Sequence, residues 1–268
     1  MSTIDALGLI LLILMIIVGG KQGIKSFASL LINFILLWVA LLLFKLKLPI
    51  IIVTLVIGAT VLATTIYLGS DNYMIAQTAF ISSLMIMIIM ACIIVPIEHF
   101  AKVQGFGLED NEAIVGYSLR IGIPFIKMTI SSALFSTLGA IAEASMAIST
   151  ACYTLMHETN KITPKQLYYD GIMAGKDIIG TTLNTLFFGF FGGFLALFIW
   201  FVGLGYSWGK VINDKIFVSE ILLILFAIIG VVLAVPMTAW FMSKQLKAQQ
   251  LDKNGKTSEK SINDKLND

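Results

Sequence analysis

Length, composition and charge place this chain in a membrane. It has 268 residues, of which 58% are hydrophobic and 13% charged, and its mean hydropathy is +0.93. Soluble domains carry about 25% charged residues, so we predict an all-α, polytopic transmembrane helix bundle with no soluble domain and the lipid bilayer as its surroundings. The net charge of +2 and the lack of basic clusters interleaved with aromatics exclude nucleic acid as a partner.

Apolar runs separated by short charged stretches predict about seven membrane spans within a single domain, residues 1–243. In chain order the predicted spans are 6–20, 26–44, 48–69, 73–97, 121–156, 178–208 and 216–242. An eighth span results if the segment 178–208 breaks at Gly192-Gly193, because adjacent glycines can end one helix and start another.

The chain ends in a polar segment, residues 244–268, whose Lys-, Asp- and Ser-rich composition is typical of disorder. Its lysines predict a cytoplasmic carboxyl terminus, and seven spans then place the amino terminus outside. The remaining lysines are spread over both sides, so charge supports this topology only weakly.

The fifth predicted span carries an ionisable residue, Glu143, near the middle of an apolar stretch. A carboxyl at bilayer depth costs roughly 2.5–3.5 kcal/mol and persists where it pairs, protonates or lines a polar cavity. Helical spacing puts it on one stripe with small and polar residues. That stripe is Ser136, Ala140, Glu143, Ala147, Thr150 and Thr154.

A second polar stripe lies on the sixth predicted span and runs Asp177, Thr181, Asn184 and Phe188, with Thr185 beside it. We expect the two stripes to face each other, with Asn184 near the depth of Glu143. Asp177 and its neighbour Lys176 are expected at the cytoplasmic entry of the sixth span.

Two interpretations of this pair of stripes remain open. A carboxyl that alternates between its protonated and ionised forms can relay protons while two helices change their packing. A protonated Glu143 bonded to Asn and Thr can equally hold two helices together, at about 0.6–2 kcal/mol per contact.

Glycines on the same two spans are candidates for close helix packing, because small residues let backbones approach. They are Gly139, Gly171, Gly175 and Gly180.

No enzyme motif is present: H-E-x-x-H, G-x-S-x-G and Walker A sequences are all missing. The acidic loop Gly105–Glu112 lacks the ligand order of a calcium loop, and Cys92 and Cys152 have no metal or disulfide spacing. We therefore expect a protein that is not an enzyme and takes no metal and no cofactor.

Three segments carry a resemblance to a known family. They are Leu138-Gly-Ala-Ile-Ala-Glu143, then Gly171-x-x-x-Gly-Lys-Asp177 through Thr-x-x-Asn184-Thr, and Gly230-Val-Val-Leu-Ala-Val-Pro236. They look like the YibE/F family of bacterial multipass membrane proteins, over most of the chain. The resemblance implies the bacterial plasma membrane and a cytoplasmic loop at 157–167, but no defined activity.

Two departures from the family matter. Members usually have Asp where this chain has Glu143, so the carboxyl is kept but reaches one methylene further. Many members carry an extracellular domain, and we expect none in this chain, so the resemblance implies a partner: another subunit of the family, or a second copy of the chain.

The Glu143 and Asn184 segments also resemble, more distantly, the proton-conducting helices of the RND superfamily, including the SecD and SecF translocation proteins. This analogy favours a proton-motive-force-coupled transporter or translocase-like subunit. The alternative is a structural or scaffolding membrane subunit of a complex whose partner carries the extracellular domain.

Overall fold

The structure, a computed structural model, describes the backbone over residues 3–103, 124–159 and 162–267 and the side chains as far as residue 251. Every regular element in these ranges is an α-helix, which confirms the predicted fold class. The helices are α1 (Thr3–Lys45), α2 (Ile50–Gly69), α3 (Tyr73–Ala101), α4 (Phe125–Glu158), α5 (Pro164–Gly193), α6 (Leu195–Gly203), α7 (Trp208–Ile212) and α8 (Lys215–Asn267).

The first two predicted spans form one element, α1, that is broken at Gly20. Its φ of 52° lies in the left-handed region that glycine tolerates and other residues avoid. A side chain at Gly23 would overlap the carbonyl of Met15, so the chain bends sharply between the two arms.

The second arm of α1 runs antiparallel to α2. Asn33 donates from Nδ2 to Thr65 Oγ1 at 2.7 Å, and Thr64 Oγ1 donates to Asn33 Oδ1 at 2.5 Å. At the end of the pair Lys25 forms an ion pair with Asp71 at 2.5 Å. Polar side chains thus set the register of two otherwise apolar helices.

The core of the bundle lies between α3, α4 and α8. Met90, Ile141 and Phe226 come from these three helices and are no more than 1% exposed. A Cβ on Gly230 of α8 would lie 2.8 Å from Ile141 Cγ1 and 4.0 Å from Met90 Cγ, so the three helices meet at this level.

The sixth predicted span begins earlier than expected, at Pro164 instead of residue 178. Thr163 caps the helix, its hydroxyl oxygen accepting from the N–H of Gln166 at 3.2 Å, and Pro164 suits the first helical turn. These local signals extend the helix over residues 164–177, which lie outside the predicted span.

Beyond Gly193 the chain bends by 51° into α6. The break therefore falls at the predicted glycine pair, but α6 has only 9 residues. A span needs about 20, so α6 alone is too short for the eight-span alternative.

Five helices in the described ranges are long and apolar enough to cross a membrane, and α5 with α6 makes a sixth. Counting the two arms of α1 separately gives the predicted seven.

Helix α8 continues past the predicted end of the last span and packs against the start of α5. Ser243 Oγ donates to the carbonyl of Pro164 at 2.6 Å, and Gln250 Nε2 donates to the carbonyl of Ile162 at 3.2 Å. The first residues of the segment 244–268 therefore belong to the bundle, while the disorder of the rest stays a prediction.

Candidate functional site

The polar stripe of α4 lies on its open side. Ser132, Ser136, Glu143 and Thr150 follow each other at helical spacing and are all exposed, whereas the opposite side of the helix is buried. The stripe begins in a cleft of about 520 Å³ between α1 and α4, where Ser132 and Ser136 line the wall. It then runs past Glu143 towards the end of the helix.

Glu143 is exposed and, within the described residues, its carboxylate has no hydrogen-bond or ion-pair partner. It lies near the middle of the 34 residues of α4. An unpartnered carboxyl at that depth is unfavourable in lipid, so the open side of α4 calls for a polar environment.

A second open polar surface lies on α5. Asp177, Thr181, Asn184 and Thr185 are exposed, as is Lys176. Thr181 and Thr185 donate to carbonyls of their own helix, Thr185 to Thr181 at 3.0 Å. The amide of Asn184 has no partner among the described residues.

Two glycines hold α5 against the bundle. A Cβ on Gly171 would lie 2.7 Å from Cys152 Sγ of α4 and 3.0 Å from Ala239 Cβ of α8. One on Gly175 would lie 2.8 Å from Val235 Cγ2. These positions require glycine because of the close approach of neighbouring helices.

The other two glycine candidates differ from the expectation of packing. Gly139 and Gly180 have no heavy atom within 4 Å of the position that a Cβ would take. Both lie on the open surfaces of α4 and α5, beside Glu143 and Thr181.

The contact between Cys152 and Gly171 also sets the depth of the two stripes. Helices α4 and α5 run in opposite directions from this contact, and each residue advances about 1.5 Å. Glu143 and Gly180 are both nine positions away, about 13.5 Å. Thr181 is therefore at the depth of Glu143, and Asn184 lies about one turn further along.

The same helix geometry gives the depth of Asp177 and Lys176. Because α5 starts at Pro164, Asp177 lies roughly 20 Å into the helix. Its depth is within about one turn of Glu143. The open surfaces therefore carry two carboxyls and one ammonium group near the middle of their helices.

The two stripes do not bury each other, because Glu143, Thr181 and Asn184 are all exposed. The buried side of α4 is occupied by α3 and α8, as the contacts of Ile141 show, and α5 packs on α8 through Gly175. Both stripes are exposed, one on α4 and one on α5, and the name open polar face is used here for the residues of the two stripes together: Ser132, Ser136, Gly139, Glu143, Thr150, Lys176, Asp177, Gly180, Thr181, Asn184 and Thr185.

Sequence reasoning missed Glu98, which lies just beyond the predicted span 73–97. Glu98 continues the buried stripe of Met87, Ala91 and Ile94 on α3, and it is 1% exposed. Neither carboxylate oxygen has a partner among the described residues. The i, i+4, i+7 spacing of those apolar residues was the signal that could have located it.

Sequence reasoning also missed a layer of hydroxyls inside the core. Ser82, Ser145, Ser149 and Thr238 are each 0% exposed. The sequence shows many serines in α4, but only the fold separates the buried ones from those on the side of Glu143.

Within the described ranges no three His, Cys, Asp or Glu side chains come together to hold a metal ion. Cys92 is exposed and Cys152 is buried, both as free thiols. The acidic loop Gly105–Glu112 lies outside the described residues.

The fold and the open polar face define a helical integral membrane protein with ionisable groups at the depth of its spans. The chain matches the family described as YibE/F-like protein over residues 7–248, and it belongs to that family. No curated protein and no solved structure matches it.

Proposed function

We propose that this protein is a proton-coupled membrane subunit in which Glu143 and Asp177 exchange protons along the open polar face. One observation carries the proposal: a carboxyl without a partner in the described structure is exposed in the middle of a membrane helix, and a second carboxyl lies within about one turn of its depth. Groups of this kind mark proton and ion pathways in membrane proteins.

The route begins in the cleft between α1 and α4, where Ser132 and Ser136 provide hydroxyls. Glu143 takes up the proton next, Thr181 lies at the same depth on α5, and Asp177 passes the proton on. Proton transfer requires hydrogen-bond reach or a bridging water at each step.

The proposed orientation has the carboxyl terminus in the cytoplasm and the amino terminus outside, in the plasma membrane. Lys165 at the start of α5 and Lys244 and Lys247 on α8 share one end of the bundle, because Ser243 bonds to Pro164 there. Lysines close to the ends of membrane spans favour the cytoplasmic side, and these three support assigning that end to the cytoplasm.

A second candidate function uses the same face for assembly. Gly139 and Gly180 leave open space beside Glu143, and such glycines suit the close approach of another helix. In this alternative the chain is a structural subunit, and the face is covered by a second copy or by a family member with an extracellular domain.

Proton flux into vesicles tests the relay. The purified protein is reconstituted with a pH-sensitive dye inside, and flux is driven by an imposed membrane potential. We expect Glu143→Gln to reduce the flux at least tenfold, because the amide cannot exchange a proton, and Glu143→Asp to retain it. Glu158→Gln, at the exposed end of the same helix, is the matched control.

The two candidates give opposite results. Flux through the Glu143→Gln variant equal to that of the natural chain would refute the relay. Loss of an assembled species on Gly139→Leu, with Glu143→Gln fully assembled, supports the structural function instead.

A further inference from the structure

A layer of hydroxyl groups crosses the core between α3, α4 and α8, on the side of α4 away from Glu143. Thr238 Oγ1 of α8 donates to Ser82 Oγ of α3 at 2.9 Å. Ser83 of α3 and Ser145 and Ser149 of α4 are also 0% exposed.

The helix register places these residues at one depth. Gly230, Ile141 and Met90 meet at a common level of the three helices. Eight residues further towards the α4–α5 loop, about 12 Å along each helix, lie Thr238 on α8, Ser149 on α4 and Ser82 on α3. Ser83 and Ser145 lie within about 6 Å of the same level.

Three of these hydroxyls have no hydrogen-bond partner in the described structure, unlike those of Ser82 and Thr238. Ser82 donates to the carbonyl of Thr78 at 2.9 Å, the usual bond of a serine to its own helix. Ser83, Ser145 and Ser149 make no hydrogen bond within the described structure. Buried hydroxyls are normally satisfied by protein or by ordered water, and an unsatisfied one points to a bound molecule.

The layer also has a connection to the end of the bundle. Thr78, one turn from Ser82, donates to Gln245 Oε1 at 2.8 Å, and the side chain of Gln245 is only partly buried. A row of polar groups therefore leads from the surface near the α4–α5 loop to the inner serines.

We propose that Ser83, Ser145 and Ser149 form a binding site for ordered water inside the membrane bundle, filled from the loop end past Gln245 and Thr78. A buried water makes about three hydrogen bonds, and three unsatisfied hydroxyls supply them. Water fits this site better than a cation, because all five side chains of the layer are neutral and an uncompensated charge in the core is costly.

Thermal unfolding of serine variants in lipid nanodiscs tests the proposal. Ser83→Ala, Ser145→Ala and Ser149→Ala each remove a partner of the water, and we expect each to lower Tm by about 2–4 °C. Ser132→Ala and Ser136→Ala, exposed on the same helix α4, are the matched controls and should leave Tm unchanged. Unchanged or raised Tm in the buried variants would mean that the hydroxyls are dry and overturns the proposal.

A density map of the natural chain at a resolution that shows water provides a second measurement that needs no variant. We expect a peak within hydrogen-bond distance of at least two of the three serines. Direct serine–serine bonds without a peak contradict the proposal. A second result would also contradict the proposal: Tm of the natural chain rises when sodium chloride replaces choline chloride, and Ser145→Ala loses this rise. That result would identify a bound cation.

Discussion

Gly171 and Gly180 offer a matched test of which face of α5 is packed. Both are mid-helix glycines, but a Cβ at Gly171 would lie 2.7 Å from Cys152 Sγ and 3.0 Å from Ala239 Cβ, whereas Gly180 has open space. Replacing either with alanine gains about 1 kcal/mol of helix propensity. The difference between the two variants therefore isolates the cost of packing.

The magnitude follows from the crowding at Gly171. Cys152 Sγ can rotate away, but Ala239 Cβ is fixed to its backbone, so α5 and α8 must separate by several tenths of an ångström. Extra methyl groups in packed cores cost about 1–3 kcal/mol. We expect Gly180→Ala to be stabilised by about 0.5–1 kcal/mol and Gly171→Ala to lie about 1–3 kcal/mol below it.

Thermal unfolding in detergent or nanodiscs measures this difference. The second change Ala239→Gly should restore part of the loss in Gly171→Ala, because it removes the methyl group that cannot move. Equal Tm values for Gly171→Ala and Gly180→Ala would refute the packing of α5 on α4 and α8, and with it the assignment of the open polar face.

Three further substitutions probe other parts of the structure by unfolding. Thr238→Val keeps the shape of the side chain but removes the hydrogen bond to Ser82 at 2.9 Å. We expect the free energy of unfolding to fall by about 1–2 kcal/mol, and a gain in stability would contradict this bond. Glu98→Leu replaces a carboxyl that is 1% exposed and has no partner among the described residues; we expect stability to rise by about 1 kcal/mol or more, and a fall would reveal a partner. Lys25→Ala removes an exposed ion pair with Asp71. We expect the free energy of unfolding to fall by less than about 1 kcal/mol, and high salt should remove this difference. A loss above about 2 kcal/mol would contradict the surface exposure of the pair.

The bounds of several helices followed from local composition. The predicted span 48–69 corresponds to α2, and 73–97 is contained in α3. Long apolar runs between charged residues are self-sufficient signals, because the bilayer requires them whatever their neighbours are. The start of α5 lies outside the predicted span 178–208, because the first half of this helix is polar and only the cap at Thr163 marks its beginning.

The polar residues of the candidate site were visible in the sequence, but their neighbours were not. Helical spacing assigns Glu143 and Thr150 to one stripe, and it cannot say whether that stripe meets another helix or lipid. The four glycines illustrate the same limit. Gly171 and Gly175 are in close contact with other helices and Gly139 and Gly180 are open, although the sequence predicted the same packing role for all four.

The sequence by itself determined that this protein is a helical membrane bundle, because hydropathy and backbone satisfaction act locally along each segment. It also determined which residues share a face of a helix. Only the tertiary structure decided which face is buried. Side chains such as Ile141 and glycines such as Gly171 fit their neighbours in space, and that fit leaves Glu143 outside while Glu98 and the core serines lie inside.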